Sequence, residues 1–357
     1  GDSRLSRRWI PIKMPSINLS WLKGLTDDTG IFQHAKFSIA NRKEGYTTDD
    51  NARALVAVLK YHALESDKSV LQLAENYLSF LLYMQRDDGS VHNFLSYDRR
   101  FLDRVGSYDS LGRTLWATGY AQVTQASEDF RAVAKEIFDK ALVWVMKSDS
   151  PRTQAFAILG LHYYAAAFPE DENPPLNIII LADRLCESYK RVSSDSWRWF
   201  EPYFTYANPR LPQALFSAYQ TTGKEEYITI AKNALDFLAE MDIVQGVFKP
   251  AGNRIWHLRG QERELYDQQP IEASCMVQAA ITAHHVTQQD RYLEMAHTSF
   301  DWFMGRNSKG VKVYNPATGG CYDGITAEGL NRNQGAEAGL SFLLARLDME
   351  CLNNRTL

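Results

Sequence analysis

The stretch TTDDNARALVAVLKYHAL, residues 47–64, opens with polar residues and then carries almost no charge. A helix that is apolar on nearly every side is buried on every side. Five other segments share this polar start and a body rich in Ala, Gly, Ser and Leu: residues 107–123, 150–167, 208–220, 268–285 and 333–347. The sequence therefore predicts six inner helices, whose small residues let them pack closely against one another.

Amphipathic segments alternate with these inner helices along the chain. In each of them apolar residues recur at three and four positions, with Lys, Glu and Asp between, which is typical of a helix with one face on the core. They are residues 69–85, 128–146, 175–191, 225–241 and 290–306. The shorter INLSWLKGL, residues 17–25, predicts the sixth outer helix. Six inner helices alternating with six outer ones indicate an all-α fold, the (α/α)6 toroid.

The repeat pattern also decides the predicted domain organisation. A chain of 357 residues, at ~150 residues per domain, suggests two or three domains. A toroid instead predicts a single domain over residues 1–357, with residues 1–16 as an N-terminal extension. Long connections precede the inner helices, at residues 86–107, 192–208, 243–269 and 305–333. Because connections of that length are uncommon unless functional, we expect them to surround a central funnel at one end.

Composition excludes several classes of function. The net charge of -4 argues against nucleic acid as a partner, because phosphate binding needs a basic surface. Four widely spaced cysteines without a CxxC pair predict free thiols in a reducing compartment, hence a cytoplasmic location, with the periplasm as the alternative. No apolar run approaches the ~20 residues of a membrane span. The sequence lacks a phosphate-loop motif and closely spaced metal ligands, so we expect no cofactor and no metal.

Charged side chains stand near the start of every predicted inner helix. They are Asp49, Asp50, Asp109, Arg152, Arg210, Glu272 and Glu337. Acidic residues in a first turn also complement the helix dipole, and Thr47 or Thr48 can cap the first helix. The dipole does not explain the two arginines, because cations are disfavoured at this end. In a toroid these side chains converge, which favours a polar pocket.

Asp49 and Asp50 are the first candidates for catalysis. The helix dipole favours their ionised forms, which suits a nucleophile or base, whereas two adjacent like charges raise one pKa, which suits an acid. Arg53 follows one turn later, and the pattern Asp-x-x-x-Arg-x-Leu recurs from Asp109 to Arg113. We expect at least one of the two aspartates to act in catalysis or to contact substrate. The reserve carboxylates are Asp109, Glu201, Glu272 and Glu337.

An aromatic-rich loop, SDSWRWFEPYFTYANPRLP at residues 194–212, surrounds Glu201. Sugar rings stack on aromatic planes, and a carboxyl group among aromatic residues suits a general acid. The alternative is a hydrophobic latch between the loop and the toroid. With residues of similar character in other loops, the predicted substrate-binding set is His34, Tyr46, Arg53, His92, Arg113, Trp199, Tyr203, Arg210, Trp256, Glu272, Asp323 and Glu337.

Four motifs carry a resemblance to a known family. Residues 25–39 (LTDDTGIFQHAKFSI), 45–55 (GYTTDDNARAL), 197–215 (WRWFEPYFTYANPRLPQAL) and 315–345, which begin NPATGGCYDGI, resemble an uncharacterised bacterial family of (α/α)6-toroid proteins. Its members often occur fused to, or encoded beside, glycosyltransferases. The resemblance spans roughly residues 17–346 and implies a glycosyltransferase as a possible partner.

A wider resemblance is to the six-hairpin glycosidases. Their alpha-1,6-mannanase family also has two consecutive aspartates at an inner-helix start, acting as nucleophile and acid/base, and Asp49 and Asp50 look like that pair. This chain has Asn51, Ala52 and Arg53 where that family has aromatic residues. The resemblance implies a six-hairpin glycosidase-like barrel and a hydrolase mechanism with paired carboxylates.

Three functions follow from these observations. The first is a glycoside hydrolase that cleaves an oligosaccharide or glycan in the funnel with two carboxylates. The second is a sugar epimerase or isomerase, which needs facing histidines as acid and base, from among His34, His92 and His257. The third is a non-catalytic glycan-binding domain that accompanies a glycosyltransferase. The separation of the carboxylates and the positions of the histidines discriminate among them.

Overall fold

The computed structural model describes residues 12–253 and 257–354, and this part of the chain is built mainly from α-helices. In chain order they are α1 Ser20–Gly24, α2 Thr48–Glu65, α3 Leu71–Met84, α4 Tyr108–Ala121, α5 Glu128–Val145, α6 Pro151–Ala167, α7 Asn173–Val192, α8 Arg210–Thr222, α9 Glu225–Asp242, α10 Pro270–Thr287, α11 Asp290–Asp301 and α12 Ala336–Asn354.

The even-numbered helices form a closed inner ring. Each of α2, α4, α6, α8 and α10 packs against the next in this order, and α12 packs against both α10 and α2. The odd-numbered helices lie outside, each beside its inner partner. This arrangement is an (α/α)6 toroid, so the fold predicted from the sequence is confirmed.

Burial separates the two helix classes as their sequences predict. In α2 every residue from Asn51 to Leu59 is buried, in agreement with a helix surrounded by protein. In α3 the buried residues recur on one face, where they include Tyr77 and Leu81. The predicted sixth outer helix is present but short: α1 has 5 residues and lies against α12.

Glycines permit the closest contacts between inner helices. A Cβ atom on Gly119 of α4 would lie 2.4 Å from the backbone oxygen of Gly160 of α6. A Cβ atom on Gly160 would lie 2.4 Å from the backbone oxygen of Leu115. Because real Cβ atoms do not approach backbone so closely, both positions require glycine. The expectation that small residues allow close packing is thus confirmed at this interface.

The connections that precede inner helices contain short antiparallel ribbons, which the sequence patterns did not indicate. Their strands are β1 Ala35–Lys36, β2 Ile39–Ala40, β3 Tyr46–Thr47, β4 Phe94–Leu95, β5 Tyr203–Phe204, β6 Ile243–Val244, β7 Val247–Phe248, β8 His257–Leu258, β9 Tyr314–Asn315, β10 Gly320–Cys321, β11 Gly324–Thr326 and β12 Gly329–Asn331. Two- and three-residue strands are too short for an alternating pattern. They hold the loops together where the inner helices begin.

Two further observations concern the predicted N-terminal extension and the search for membrane-spanning helices. Of the predicted N-terminal extension, residues 1–11 lie outside the described residues, and within the rest the Pro15 carbonyl accepts a 2.6 Å hydrogen bond from Arg346. No helix in the described ranges is long and apolar enough to cross a membrane.

Candidate active site

A cavity of about 440 Å³ opens where α2 and α12 begin. Its volume is typical of small-ligand sites, which are concave and span roughly 300–1,000 Å³. Ribbon loops complete its wall. The predicted site residues that line it are His34, Asp49, Asp50, Arg53, Asp323 and Glu337. The toroid therefore brings together six of the predicted residues, from three separate parts of the chain.

Asp50 is a buried acid at the start of α2. Thr47 caps this helix, because its Oγ1 accepts a hydrogen bond from the Asp50 amide at 3.1 Å. The same hydroxyl donates to Asp50 Oδ2 at 2.7 Å. Burial raises the pKa of Asp50 to about 7, although Arg53 and the Thr47 hydrogen bond act in the opposite direction. Asp50 can therefore carry a proton near neutral pH, as a general acid must.

Arg53 links Asp50 to a carboxylate on the neighbouring inner helix. Its Nη1 lies 3.9 Å from Asp50 Oδ1 and 3.6 Å from Glu337 Oε2. Since both distances end on one nitrogen, the two oxygens cannot be farther apart than their sum. The separation therefore does not exceed the roughly 9.5 Å upper limit for paired carboxylates of glycosidases. The side chain of Glu337 is 49% exposed, so it is accessible from the cavity.

Asp49 forms the second ion pair of the site. Its Oδ2 lies 3.3 Å from Nη1 of Arg113, whose guanidinium stacks 4.9 Å from the ring centroid of Phe156. Asp49 Oδ1 is buried and makes no hydrogen bond within the protein. A buried acceptor without a partner costs stability, so Asp49 is held at this site at an energetic cost.

The recurring Asp-x-x-x-Arg pattern now has a structural meaning. Arg113 of α4 reaches back to Asp49 of α2, and Arg53 of α2 reaches back to Glu337 of α12. Each arginine thus pairs with an acid at the start of the preceding inner helix. The two ion pairs link the starts of α12 and α2, which carry the carboxylates, to each other and to α4.

Asp323 and His34 approach the cavity from two different loops. Asp323 Oδ1 accepts a 2.8 Å hydrogen bond from the Gly335 amide, just before α12. Burial raises the pKa of Asp323 to about 6, and the nearby His34 counteracts this shift. The backbone of the His34 loop also binds this region, since the Gln33 carbonyl accepts a 3.0 Å hydrogen bond from Ala336.

Asp109 and Glu201 do not line the first cavity, and each is held by protein groups. The Tyr206 hydroxyl donates to Asp109 Oδ2, and the Thr153 hydroxyl lies 3.3 Å from Oδ1. Glu201 Oε1 forms a buried 2.8 Å ion pair with Arg152. Arg152 also donates to the Tyr206 carbonyl at 2.6 Å. Asp109 and Glu201 thus support the loop before α8, and their direct role in catalysis stays a prediction.

Arg210 and Glu272 are also absent from the cavity wall. The Arg210 guanidinium lies between aromatic rings, 5.0 Å from the Trp116 centroid and 5.2 Å from that of Phe156. Glu272 Oε1 accepts a hydrogen bond from the Ala207 amide. Burial raises the pKa of Glu272 to about 8. Both side chains are buried: Arg210 packs between inner helices, Glu272 holds the loop at residue 207, and their contact with substrate stays a prediction.

The aromatic loop forms the hydrophobic latch that was the alternative interpretation. Trp199 is fully buried, and its ring centroid lies 5.1 Å from that of Phe204. Trp197 packs at 5.4 Å from Phe237 of α9 and donates its indole N–H to the Glu201 carbonyl at 2.8 Å. Trp199 is therefore a core residue and not a sugar platform. Tyr203, in β5, is half-buried and does not line the cavity.

The remaining predicted residues have separate positions. Tyr46 lines a second cavity beside the first. His92 stacks 3.9 Å from the Phe101 centroid, and its Nδ1 lies 2.8 Å from the Asp103 carbonyl oxygen. His257 is buried against Trp197. Trp256 lies outside the described residues. Among the residues described, His34 is the one histidine that lines the first cavity.

Sequence reasoning missed several polar residues of the cavity. Asn93 accepts a 3.5 Å hydrogen bond from the Asp49 amide, and Asn253, Asp267 and Gln269 also line the cavity. Their only signal was their location in long loops before inner helices. Within the described parts of the chain, no cluster of three or more His, Cys, Asp or Glu side chains is placed to hold a metal ion.

Comparison with known proteins gives a fold but no family. No family model matches the sequence, and no curated protein matches it. Among solved structures, a cellobiose 2-epimerase from Bacillus thermoamylovorans is similar, with 14% identity, a TM-score of 0.68 and coverage of 93% of this chain and 96% of the other. An α-mannanase of glycoside hydrolase family 76 from Bacteroides thetaiotaomicron has 12% identity and a TM-score of 0.65, covering 93% of each chain.

A third similar structure is an alpha-1,6-mannanase from Salegentibacter sp., with 13% identity, a TM-score of 0.62 and coverage of 93% of this chain and 96% of the other. It is described as an inactive variant, in which two consecutive aspartates are replaced by asparagine, in complex with alpha-1,6-mannotriose. At these identities the likeness establishes the toroid fold, and nothing more, for the present chain.

Proposed function

We propose that this protein is a carbohydrate-active enzyme, a glycoside hydrolase that cleaves an oligosaccharide or glycan with Asp49 and Asp50. The observation that carries the proposal is their different environments at one cavity. Asp50 is buried with a pKa raised to about 7, whereas Asp49 is paired with Arg113 at 3.3 Å. Glycosidases need this division between a protonated carboxyl group and a carboxylate.

In this mechanism Asp50 donates its proton to the glycosidic oxygen as the bond to the leaving sugar breaks. Asp49, which lines the same cavity, provides the carboxylate that attacks the anomeric carbon or activates water. Glu337 and Asp323 are proposed to bind sugar hydroxyls, because both line the same cavity. The likeness to a mannanase described as inactive without two consecutive aspartates supports this assignment.

A sugar epimerase is the second candidate, favoured by the likeness to a cellobiose 2-epimerase. Epimerisation with histidine as acid and base needs two imidazoles at one cavity. His34 lies there, beside Asp323, but His92 is stacked on Phe101 and His257 is buried. The hydrolase is therefore the better-supported proposal. The glycosyltransferase partner and the cytoplasmic location stay predictions from the sequence.

The decisive experiment is a digestion screen with neutral oligosaccharides, α-mannosides and cellobiose included, followed by chromatography and NMR of the products. Hydrolysis releases shorter sugars, epimerisation gives an isomer of unchanged mass, and a glycan-binding domain gives no product. On a confirmed substrate, Asp49→Asn and Asp50→Asn should each lower kcat by at least ~10²-fold, the lower limit of typical acid–base contributions.

Asp87→Asn is the matched control, because Asp87 is an exposed loop aspartate outside the cavity. It should retain wild-type turnover. Full activity of both Asp49→Asn and Asp50→Asn would contradict the proposal. Conversion without any change of mass would favour the epimerase instead.

A further inference from the structure

A second cavity, of about 370 Å³, lies beside the first and shares its supporting segments. Its wall contains two tyrosines, three aspartates and one arginine: Asp27, Asp28, Tyr46, Tyr97, Asp98 and Arg99. Aromatic faces next to carboxylate and guanidinium groups have the chemistry that binds a sugar ring and its hydroxyls. The proposed function gives this cavity no role.

Three segments of the chain contribute to both cavities. In β3, Tyr46 lines the second cavity, and the next residue, Thr47, lines the first. In the loop that begins with β4, Phe94 lines the first cavity and Tyr97 the second. The N-terminal loop supplies Asp27 to one cavity and His34 to the other. Because Tyr46 and Thr47 are consecutive strand residues, whose side chains point to opposite faces, the two cavities lie side by side across the ribbon of β3 and β4.

The second cavity has a fixed back wall. Tyr46 stacks on Phe32 with centroids 4.6 Å apart, and its hydroxyl donates to Asp27 Oδ2 at 2.5 Å. Asp27 Oδ1 accepts hydrogen bonds from the amides of Thr29 at 2.9 Å and Gly30 at 3.2 Å. These contacts hold the carboxylate in place before any ligand arrives, which lowers the ordering cost of binding.

Each cavity has one exposed aromatic side chain from the loop that begins with β4. Phe94 is 41% exposed and Tyr97 is 52% exposed. Tyr97 lies at the edge of the aromatic wall, 5.9 Å from the Phe32 centroid. An exposed aromatic plane that continues a ligand cavity is suited to stacking against the next units of a sugar chain.

We propose that the second cavity is a glycan subsite, which binds the sugar units of an extended neutral oligosaccharide beyond those held near Asp49 and Asp50. Its wall carries three carboxylates against one guanidinium, so it repels uronates and sulfated sugars. This inference rests on the proposed function for the identity of the ligand, because it assumes that the first cavity takes a sugar. The subsite inference further specifies that the substrate is an extended and uncharged sugar chain.

Binding without turnover tests the subsite separately from catalysis. In a protein carrying Asp49→Asn and Asp50→Asn, calorimetry measures the Kd of α-1,6-linked mannooligosaccharides and β-1,4-linked cello-oligosaccharides of two to six units. Affinity should rise with chain length in one series. Adding Tyr97→Ala should weaken binding of the longer chains by about tenfold, equivalent to roughly 1.4 kcal/mol, and leave that of the shortest unchanged.

Tyr83→Ala is the matched control, since Tyr83 is 51% exposed on α3 and lines neither cavity. It should leave the whole series unchanged. If affinity increases equally with chain length in the Tyr97→Ala protein and its parent, the subsite proposal is wrong. That result would not contradict the hydrolase proposal. A third outcome is length-dependent binding that Tyr97→Ala removes, together with no hydrolysis of either series by the wild type. This outcome would support the subsite and count against the hydrolase. Absence of binding in both series would overturn the subsite.

Discussion

The hydroxyl of Thr47 serves both the backbone and the carboxyl group of Asp50. Oγ1 accepts from the Asp50 amide at 3.1 Å and donates to Asp50 Oδ2 at 2.7 Å. A helix cap and a candidate catalytic acid therefore depend on one side chain. The two interpretations of acidic residues at a helix start, capping and chemistry, are compatible here, because the cap that stabilises α2 also orients the carboxyl group in the cavity.

Replacing Thr47 with valine should change stability and the pH profile together. Loss of the cap should lower the free energy of unfolding by ~1 kcal/mol. The Thr47 hydrogen bond lowers the pKa of Asp50. Its loss should therefore raise that pKa and move the high-pH limb of kcat/KM to higher pH. Urea unfolding and a pH–rate profile measure the two effects. Thr47→Ser keeps the hydroxyl and is the control; equal pH limbs in the two variants would rule out this role.

Glu337→Gln should shift the high-pH limb of the kcat/KM profile in the direction opposite to that expected for Thr47→Val. The negative charge of Glu337 raises the pKa of Asp50, and Glu337 also shares Arg53 with it. Without that charge the Asp50 pKa falls, so the high-pH limb of kcat/KM should move to lower pH. Glu328→Gln, an exposed change in the β11–β12 turn, is the matched control and should leave the limb in place. If the high-pH limb stays in place in Glu337→Gln, the charge of Glu337 does not influence the pKa of the catalytic acid.

Glu272 predicts a pH dependence of stability. Burial raises its pKa from 4.5 to about 8. Between these values the unfolded chain has released the proton that the folded protein retains, so the folded state binds more protons and stability falls as pH rises. Glu272→Gln cannot titrate. The free energy of unfolding of this variant, relative to that of the wild type, should therefore increase from pH 4.5 to pH 8.

Chemical denaturation at pH 5 and pH 8 provides the measurement for Glu272→Gln. Glu225→Gln, an exposed change at the start of α9, controls for the loss of one negative charge. The difference in unfolding free energy between the wild type and Glu225→Gln should be nearly the same at both pH values. A difference for Glu272→Gln that is equally constant would contradict the assignment of a protonated buried carboxyl group.

The ring of inner helices could be predicted from the sequence, whereas the positions of the loop residues could not. Segments that carry little charge after their first turn, such as residues 47–64, indicate burial on all sides, so the inner helices were predictable. Asp50 was predictable because its position on α2 follows from the helix period. Trp199 was misassigned, because an aromatic residue in a loop sequence is compatible with a sugar platform and with a core. Only the folded loop decides between them. Asn93 was missed, because its position depends on a two-residue ribbon.

Gly160→Ala tests the helix packing that brings the site together. In an exposed helix interior alanine is more favourable than glycine by about 1 kcal/mol. At Gly160 the new Cβ would lie 2.4 Å from the Leu115 backbone oxygen, so α4 and α6 must separate. Overpacking should therefore reverse the sign and lower the free energy of unfolding by ~1–3 kcal/mol. Gly24→Ala is the matched control, since a Cβ there meets nothing within 4 Å and stability should be unchanged or higher. Because Arg113 lies on α4, separation of these helices should also weaken its ion pair with Asp49, so turnover should fall in Gly160→Ala and not in Gly24→Ala.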